Sequence, residues 1–144
     1  MKLVIDTNIL ISALIKDSAT RKIIFYAPIE FYYPEISLEE LEEKKDIIIE
    51  KTGLNEKEYN DLLNEILKFV KLIQYTNIES KIKEADEIFG KIDIDDIISI
   101  ALALSIPNDG IWSDDADFER QDKINIWKTK DVLEFTENTD NLLL

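Results

Sequence analysis

Between Asp93 and Ser105 a group of carboxylates runs straight into one of the most apolar segments of the chain, Asp93-Ile-Asp-Asp-Ile-Ile-Ser-Ile-Ala-Leu-Ala-Leu-Ser105. From Ile97 to Leu104 only Ser99 is polar. A helix here is apolar nearly all round and has to be buried between other elements. A charge buried without a partner costs far more than one left on the surface. The free N–H groups and dipole of the helix start can hold one carboxylate, with Asp93 or Asp95 as the cap. Asp96 is then left over, and a bound cation would answer its charge.

The elements that could bury such a helix follow in order. Lys2–Ile5 is short, apolar and β-prone, the pattern of a central buried strand. It ends at Asp6-Thr7-Asn8, a ready N-cap set for a helix over Ile9–Ile15. A second helix is expected over Ser18–Ala27, capped by Ser18 or Thr20, with Ile23, Ile24 and Tyr26 facing inward. Glu30–Tyr33 reads as a strand closed by Pro34, and Ser37 with Glu40 carries a capping-box pattern for a helix reaching about Lys51. Thr52-Gly53 stops that helix, and Asn55 caps an amphipathic one to about Phe69. Tyr59, Leu62, Leu63, Ile66, Leu67 and Val70 form its core face. Leu72–Tyr75 is a candidate strand and Glu79–Phe89 a helix ending at Gly90. Ile111–Ser113 and Ile124–Trp127 are further strands, and a last helix lies near Asp131–Glu137. Strands alternating with helices imply a three-layer α/β/α sandwich with a central parallel β-sheet. Residues 1–137 read as one domain and 138–144 as a loosely held tail.

Residue types remove whole classes of chemistry. The chain has no His and no Cys, so a Ser-His-Asp triad, a thiol nucleophile and an ordinary zinc site are excluded. Absence of cysteine fits a cytoplasmic protein. No apolar run reaches membrane-spanning length, and no secretory leader is read at the N-terminus. Carboxylates are what remain: 31 acids against 17 bases, a formal charge of −14.

Four acidic stations stand at strand ends or helix starts: Asp6, Glu39-Glu40, Asp93/Asp95/Asp96 and Asp114/Asp115/Asp117. Each alone is a weak signal: Asp6 and Asp114–Asp117 also read as helix or turn caps, and Glu39-Glu40 as part of a solvated acidic face. A parallel sheet, however, brings the carboxyl ends of its strands to one edge, where these stations can converge. Converged carboxylates either rise in pKa or bind a cation, and oxygen-only ligands select Mg²⁺ or Mn²⁺. An EF-hand starting at Asp115 fails, because Arg120 and Ile126 stand where Gly and Glu are required. A haloacid-dehalogenase-like phosphatase would need Asp where Asn8 stands, and neither a Walker A loop nor a Rossmann glycine fingerprint is present.

The opening strand with Asp6-Thr7-Asn8, the Leu38-Glu-Glu-Leu41 helix, Ile92-Asp-Ile-Asp-Asp96 before Ala101-Leu-Ala-Leu104, and Ile111-Trp-Ser-Asp-Asp-Ala-Asp-Phe118 form an ordered set. Through them the chain resembles the PIN-domain nucleases, in particular short archaeal and bacterial proteins such as the VapC-type toxins. The resemblance implies an acidic quartet of Asp6, Glu40, Asp96 and Asp115, with Asn8 and Ser113 as polar supports and Asp117 as an extra acid at the metal. Glu39 is the alternative to Glu40, and Asp93 or Asp114 to their neighbours. Glu40 is preferred because it directly precedes Leu41. Asp115 is preferred because it lies two residues after Ser113 and three before Phe118. The implied activity is Mg²⁺- or Mn²⁺-dependent hydrolysis of phosphodiester bonds in single-stranded RNA, with Asp6, Asp96 and Asp115 as principal ligands. A toxin–antitoxin pairing and a homodimer are implied with it.

Net charge stands against a nucleic-acid ligand, since phosphate-binding surfaces are normally basic. Lys16, Arg21, Lys22, Lys128 and Lys130 are the candidate local bases, and an acidic toxin would suit a basic stretch of an antitoxin. Ile23-Ile-Phe-Tyr26 is either a homodimer surface or core. Two other functions fit the same residues: a catalytically silent PIN-like binding module, and a Mg²⁺-dependent phosphatase.

Overall fold

Strand β1 (Lys2–Ile5) shows why the molecule is layered. Leu3 and Ile5 face one side of the sheet and Val4 the other, and all three are fully buried. A strand covered on both faces belongs at the centre. The computed structural model describes residues 1–15, 19–90 and 93–143. In it β1 is flanked by β2 (Glu30–Pro34) and by β4 (Ile111–Trp112), with β3 (Val70–Ile73) beyond β2 and β5 (Ile126–Trp127) beyond β4. Every pairing is parallel, with Leu3 opposite Phe31 and Ile5 opposite Trp112. The expected α/β/α sandwich with a central parallel sheet is therefore what the chain adopts.

Helices α1 (Thr7–Ile15), α2 (Ala19–Tyr26), α4 (Lys45–Thr52), α5 (Glu56–Leu67) and α8 (Thr129–Leu143) cover one face. Leu10, Ile24, Ile48, Tyr59 and Val132 from these helices meet Leu3, Ile5, Phe31 and Trp112 of the strands. The other face belongs to α6 (Ile82–Phe89) and α7 (Ile94–Ser105), whose Ala85, Ile97, Ile100 and Ala101 pack on Val4 and Ile111. As its composition requires, α7 is buried from Ile97 through Ala103. Chain order reverses direction across the sheet at β1, so the crevice between the carboxyl ends of β1 and β4 is the place where such sheets hold ligands.

Several boundaries differ from expectation. The helix read from Ser37 to Lys51 is two, α3 (Leu38–Glu43) and α4, broken at Lys44. Ser37 makes no capping hydrogen bond, because a 3₁₀ turn over Glu35–Ser37 leaves it in helical conformation with no extended cap geometry. The capping box lies instead at Asn55 and Glu58, which exchange bonds of 2.8 and 3.1 Å at the start of α5. Tyr26 points outward, 81% exposed, since the inward stripe of α2 is carried by Thr20, Ile23 and Ile24. Strand β3 lies two residues earlier than expected, and the last helix runs on to Leu143. Ser18, Lys16 and Ile92, and Leu144 at the chain end, lie outside the described residues.

Candidate metal centre

Asp6 sits where β1 becomes α1. Its N–H donates to the Trp112 carbonyl (3.1 Å), and its own carbonyl accepts from Ile9 (3.0 Å), so β4 and α1 together fix its backbone. The side chain is 5% exposed, and Ser113 Oγ donates to its Oδ2 at 2.9 Å. Burial pushes the Asp6 carboxyl up to about 6. The Ser113 hydrogen bond opposes the rise, while Glu40 and Asp115 add to it. Ser113, wholly buried at the end of β4, also accepts the Asp115 N–H at 3.1 Å. Asp115 in turn accepts the Asp117 N–H at 2.9 Å and caps a 3₁₀ turn over Ala116–Arg120. One serine thus links the ends of both strands.

Asp93 caps α7 by accepting the Asp95 N–H at 3.0 Å, which leaves Asp96 in the first turn without that duty. Burial, then the charges of Asp6, Asp93, Asp115 and Glu40, raise Asp96 to about 7. Asp95 is raised to about 6, chiefly by burial and by Glu40. Asp114 is turned to another task. It accepts the Thr129 N–H (2.8 Å) and hydroxyl (2.6 Å) at the start of α8, and Trp112 Nε1 donates to that same hydroxyl oxygen.

Glu40 reaches the site from α3. Its approach is set by Tyr33 at the end of β2, whose hydroxyl donates to the Ser37 carbonyl (2.9 Å) and lies 2.6 Å from Thr7 Oγ1. With the phenolic proton committed to Ser37, the Thr7 hydroxyl is the donor to Tyr33. Glu40 is half-buried, while Glu39 is exposed. Glu40 Oε1 accepts from Lys44 Nζ at 2.9 Å, and Oε2 is buried with no hydrogen-bond partner.

The four stations meet. Asp6, Asn8, Glu40, Asp93, Asp96, Asp115 and Asp117 line one cleft of about 530 Å³, together with Ile94 and Lys44. One oxygen each from Asp96, Asp115 and Asp117 lies within 4.8 Å of the others. The donor set is all oxygen, two of the acids are held back from ionising, and a buried Glu40 oxygen has no partner. These features fit a hard divalent cation. Lys44 and the Thr7–Tyr33–Ser37 chain were not anticipated from the sequence. Lys44 had one available signal, its position four residues after Glu40 on a helical stretch. Of the bases expected near substrate, Arg21 donates to the Ala13 carbonyl at 2.7 Å, at the end of α1. Lys128 pairs with Glu119 at 2.9 Å.

A family model described as PIN domain matches residues 4–136. The chain belongs to the PIN-domain family, whose members are generally hydrolytic nucleases and typically use divalent metals. No curated protein matches it. Among the described residues, no helix is long and apolar enough to cross a membrane.

Proposed function

We propose that this protein is a cytoplasmic, Mg²⁺- or Mn²⁺-dependent endoribonuclease that hydrolyses phosphodiester bonds in single-stranded RNA, acting as the toxin of a toxin–antitoxin pair. The observation that carries the reading is the meeting of Asp6, Glu40, Asp96, Asp115 and Asp117 in one cleft at the carboxyl edge of a parallel sheet. Asp96, Asp115 and Asp117, whose oxygens lie within 4.8 Å of one another, would hold the metal, with Asp6 beside them in the cleft. The chemistry a divalent ion would supply at these acids is a lowered pKa for a bound water and compensation of charge on the phosphate. The chain's own groups set this up. Ser113 keeps Asp6 oriented and favours its ionised form, and Asp93 fixes the helix turn that presents Asp96. Asn8 is exposed on the wall of the cleft and can donate its amide to a phosphate oxygen.

The acidic cleft and the charge of −14 suit a basic antitoxin segment better than bare RNA. A second copy of the chain fits the aromatic surface of Phe25, Tyr26 and Phe69. Their rings lie 6.2 and 5.2 Å apart, and Tyr26 and Phe69 are exposed.

Calorimetric titration of Mn²⁺ into wild type and Asp96→Asn, followed by RNA cleavage on the same samples, tests the proposal. Saturable binding and metal-dependent cleavage are expected, both lost in the variant. Binding with no cleavage of single-stranded RNA would overturn the ribonuclease reading in favour of a silent module, or of a phosphatase if small phosphoesters are hydrolysed. Absence of binding would return the acids to capping.

A further inference from the structure

Lys44 is the one basic residue among the described residues lining the acidic cleft. Its place is fixed at both ends. At the backbone it is the junction of α3 and α4, and its N–H donates to the carbonyls of Glu40 and Leu41, each at 3.2 Å. At the tip, Nζ lies 2.9 Å from Glu40 Oε1. A Glu–Lys pair at this spacing is commonplace on a solvated helix face and contributes little there. This pair differs, because the Glu40 side chain is only 13% exposed and its second oxygen is buried with no partner. The carboxylate lies in the cleft wall, and the Lys44 side chain, 42% exposed, reaches it from the rim.

The three carboxylates close enough to share one ion are Asp96, Asp115 and Asp117, and Glu40 is not among them. The cleft therefore has two ends of different character. At one end three acids converge with no cation of their own. At the other, Glu40 already has one. We infer that Lys44 supplies the second cation of this site from within the chain. Its ammonium pairs with Glu40 and offsets that charge, so the cleft takes a single divalent ion, at the Asp96–Asp115–Asp117 end. The inference rests on the metal-site reading above. A second ion near Glu40 would have to lose part of its water shell and displace or face a tethered positive charge, with Glu40 outside the group of three acids. Lys44 is in this sense a positioning residue, setting the metal count and the orientation of Glu40.

The test is calorimetric titration of Mn²⁺ into wild type, Lys44→Met, Lys44→Arg and Glu40→Gln, with thermal melts of each to establish folding. Wild type is expected to bind one ion. Lys44→Met is expected to bind a second, and Lys44→Arg, which keeps the charge, to return to one. Glu40→Gln is expected to retain the single ion within about threefold in affinity, whereas Asp96→Asn loses it. Two ions in wild type, a single ion in Lys44→Met, or loss of binding in Glu40→Gln as deep as in Asp96→Asn would each overturn the inference and leave the metal site standing. No Mn²⁺ bound by wild type would overturn the metal site and this inference together. Lys44→Gln takes the place of Lys44→Met if that variant does not fold.

Discussion

Ser113 is the smallest polar side chain in the site and makes two bonds at once, donating to Asp6 and accepting from Asp115. Its removal leaves a buried carboxylate oxygen short of a donor, a loss of about 1–3 kcal/mol. Ser113→Ala is expected to lower the melting temperature. It is also expected to move Mn²⁺ binding to higher pH, because Asp6 loses the hydrogen bond that opposes its raised pKa. An unchanged pH profile would remove Ser113 from the control of Asp6. The same acids make stability depend on pH. Asp6 and Asp96 titrate near 6 and near 7 in the folded chain against 3.8 as their ordinary value. Between these limits the folded state holds protons that the unfolded state has released. Their contribution is thus complete below the ordinary value and is lost as pH rises through the folded values. Chelator-treated protein is expected to lose stability in urea melts from about pH 4 to about pH 7, and Asp96→Asn to flatten that slope. Added Mn²⁺ should then stabilise more at about pH 8 than at about pH 5, since it binds the ionised acids.

At the scale of elements, Gly110 decides whether β5 can join the sheet. It adopts φ +139°, and a Cβ there would run into the Asn125 carbonyl and come within 2.9 Å of the Trp127 ring. Strand β5 is only two residues long, and the bonds that hold it, Ile111 N–H to the Asn125 carbonyl (2.9 Å) and Ser113 N–H to the Trp127 carbonyl (3.0 Å), begin at the residue after Gly110. Gly110→Ala is expected to cost about 1–3 kcal/mol in strain, with the Trp127 fluorescence shifted toward that of a solvated indole. A native emission spectrum with unchanged melting would show that the edge can yield. Helix starts show the limit of local pattern. Ser37 and Glu40 have capping-box spacing, yet Glu40 serves the cleft and Ser37 lies inside a turn. Asn55 and Glu58 have the same spacing and form the box, because nothing tertiary competes for them.

For the whole molecule, the −14 charge and the aromatic surface at Tyr26 bear on assembly. An exposed Tyr26 stacked edge-to-face on Phe25, beside Phe69, is a compact apolar patch on an otherwise acidic chain. Light scattering is expected to find a dimer in wild type and a monomer in Tyr26→Glu, with Mn²⁺ binding retained because Phe25, Tyr26 and Phe69 do not line the acidic cleft. A wild-type monomer at high concentration would make the patch plain surface.

Much of this architecture is decided locally. Short apolar runs ending in acids, helical spacing between them and an all-apolar α7 are properties of adjacent residues, and they are sufficient for a parallel three-layer sandwich with carboxylates along one edge. Burial and direction are not local. Which of Asp114 and Asp115 enters the cleft depends on Thr129, fifteen positions along the chain, which takes both oxygens of Asp114. The position of Glu40 depends on a hydrogen-bond chain joining α1 to β2 through Thr7 and Tyr33. The pKa values of Asp6 and Asp96 exist only once distant carboxylates share one desolvated space. Residue type and spacing determined that an acidic site would form. Long-range hydrogen bonds and burial, which no short window of sequence contains, decided which oxygens face it and placed Lys44 among them.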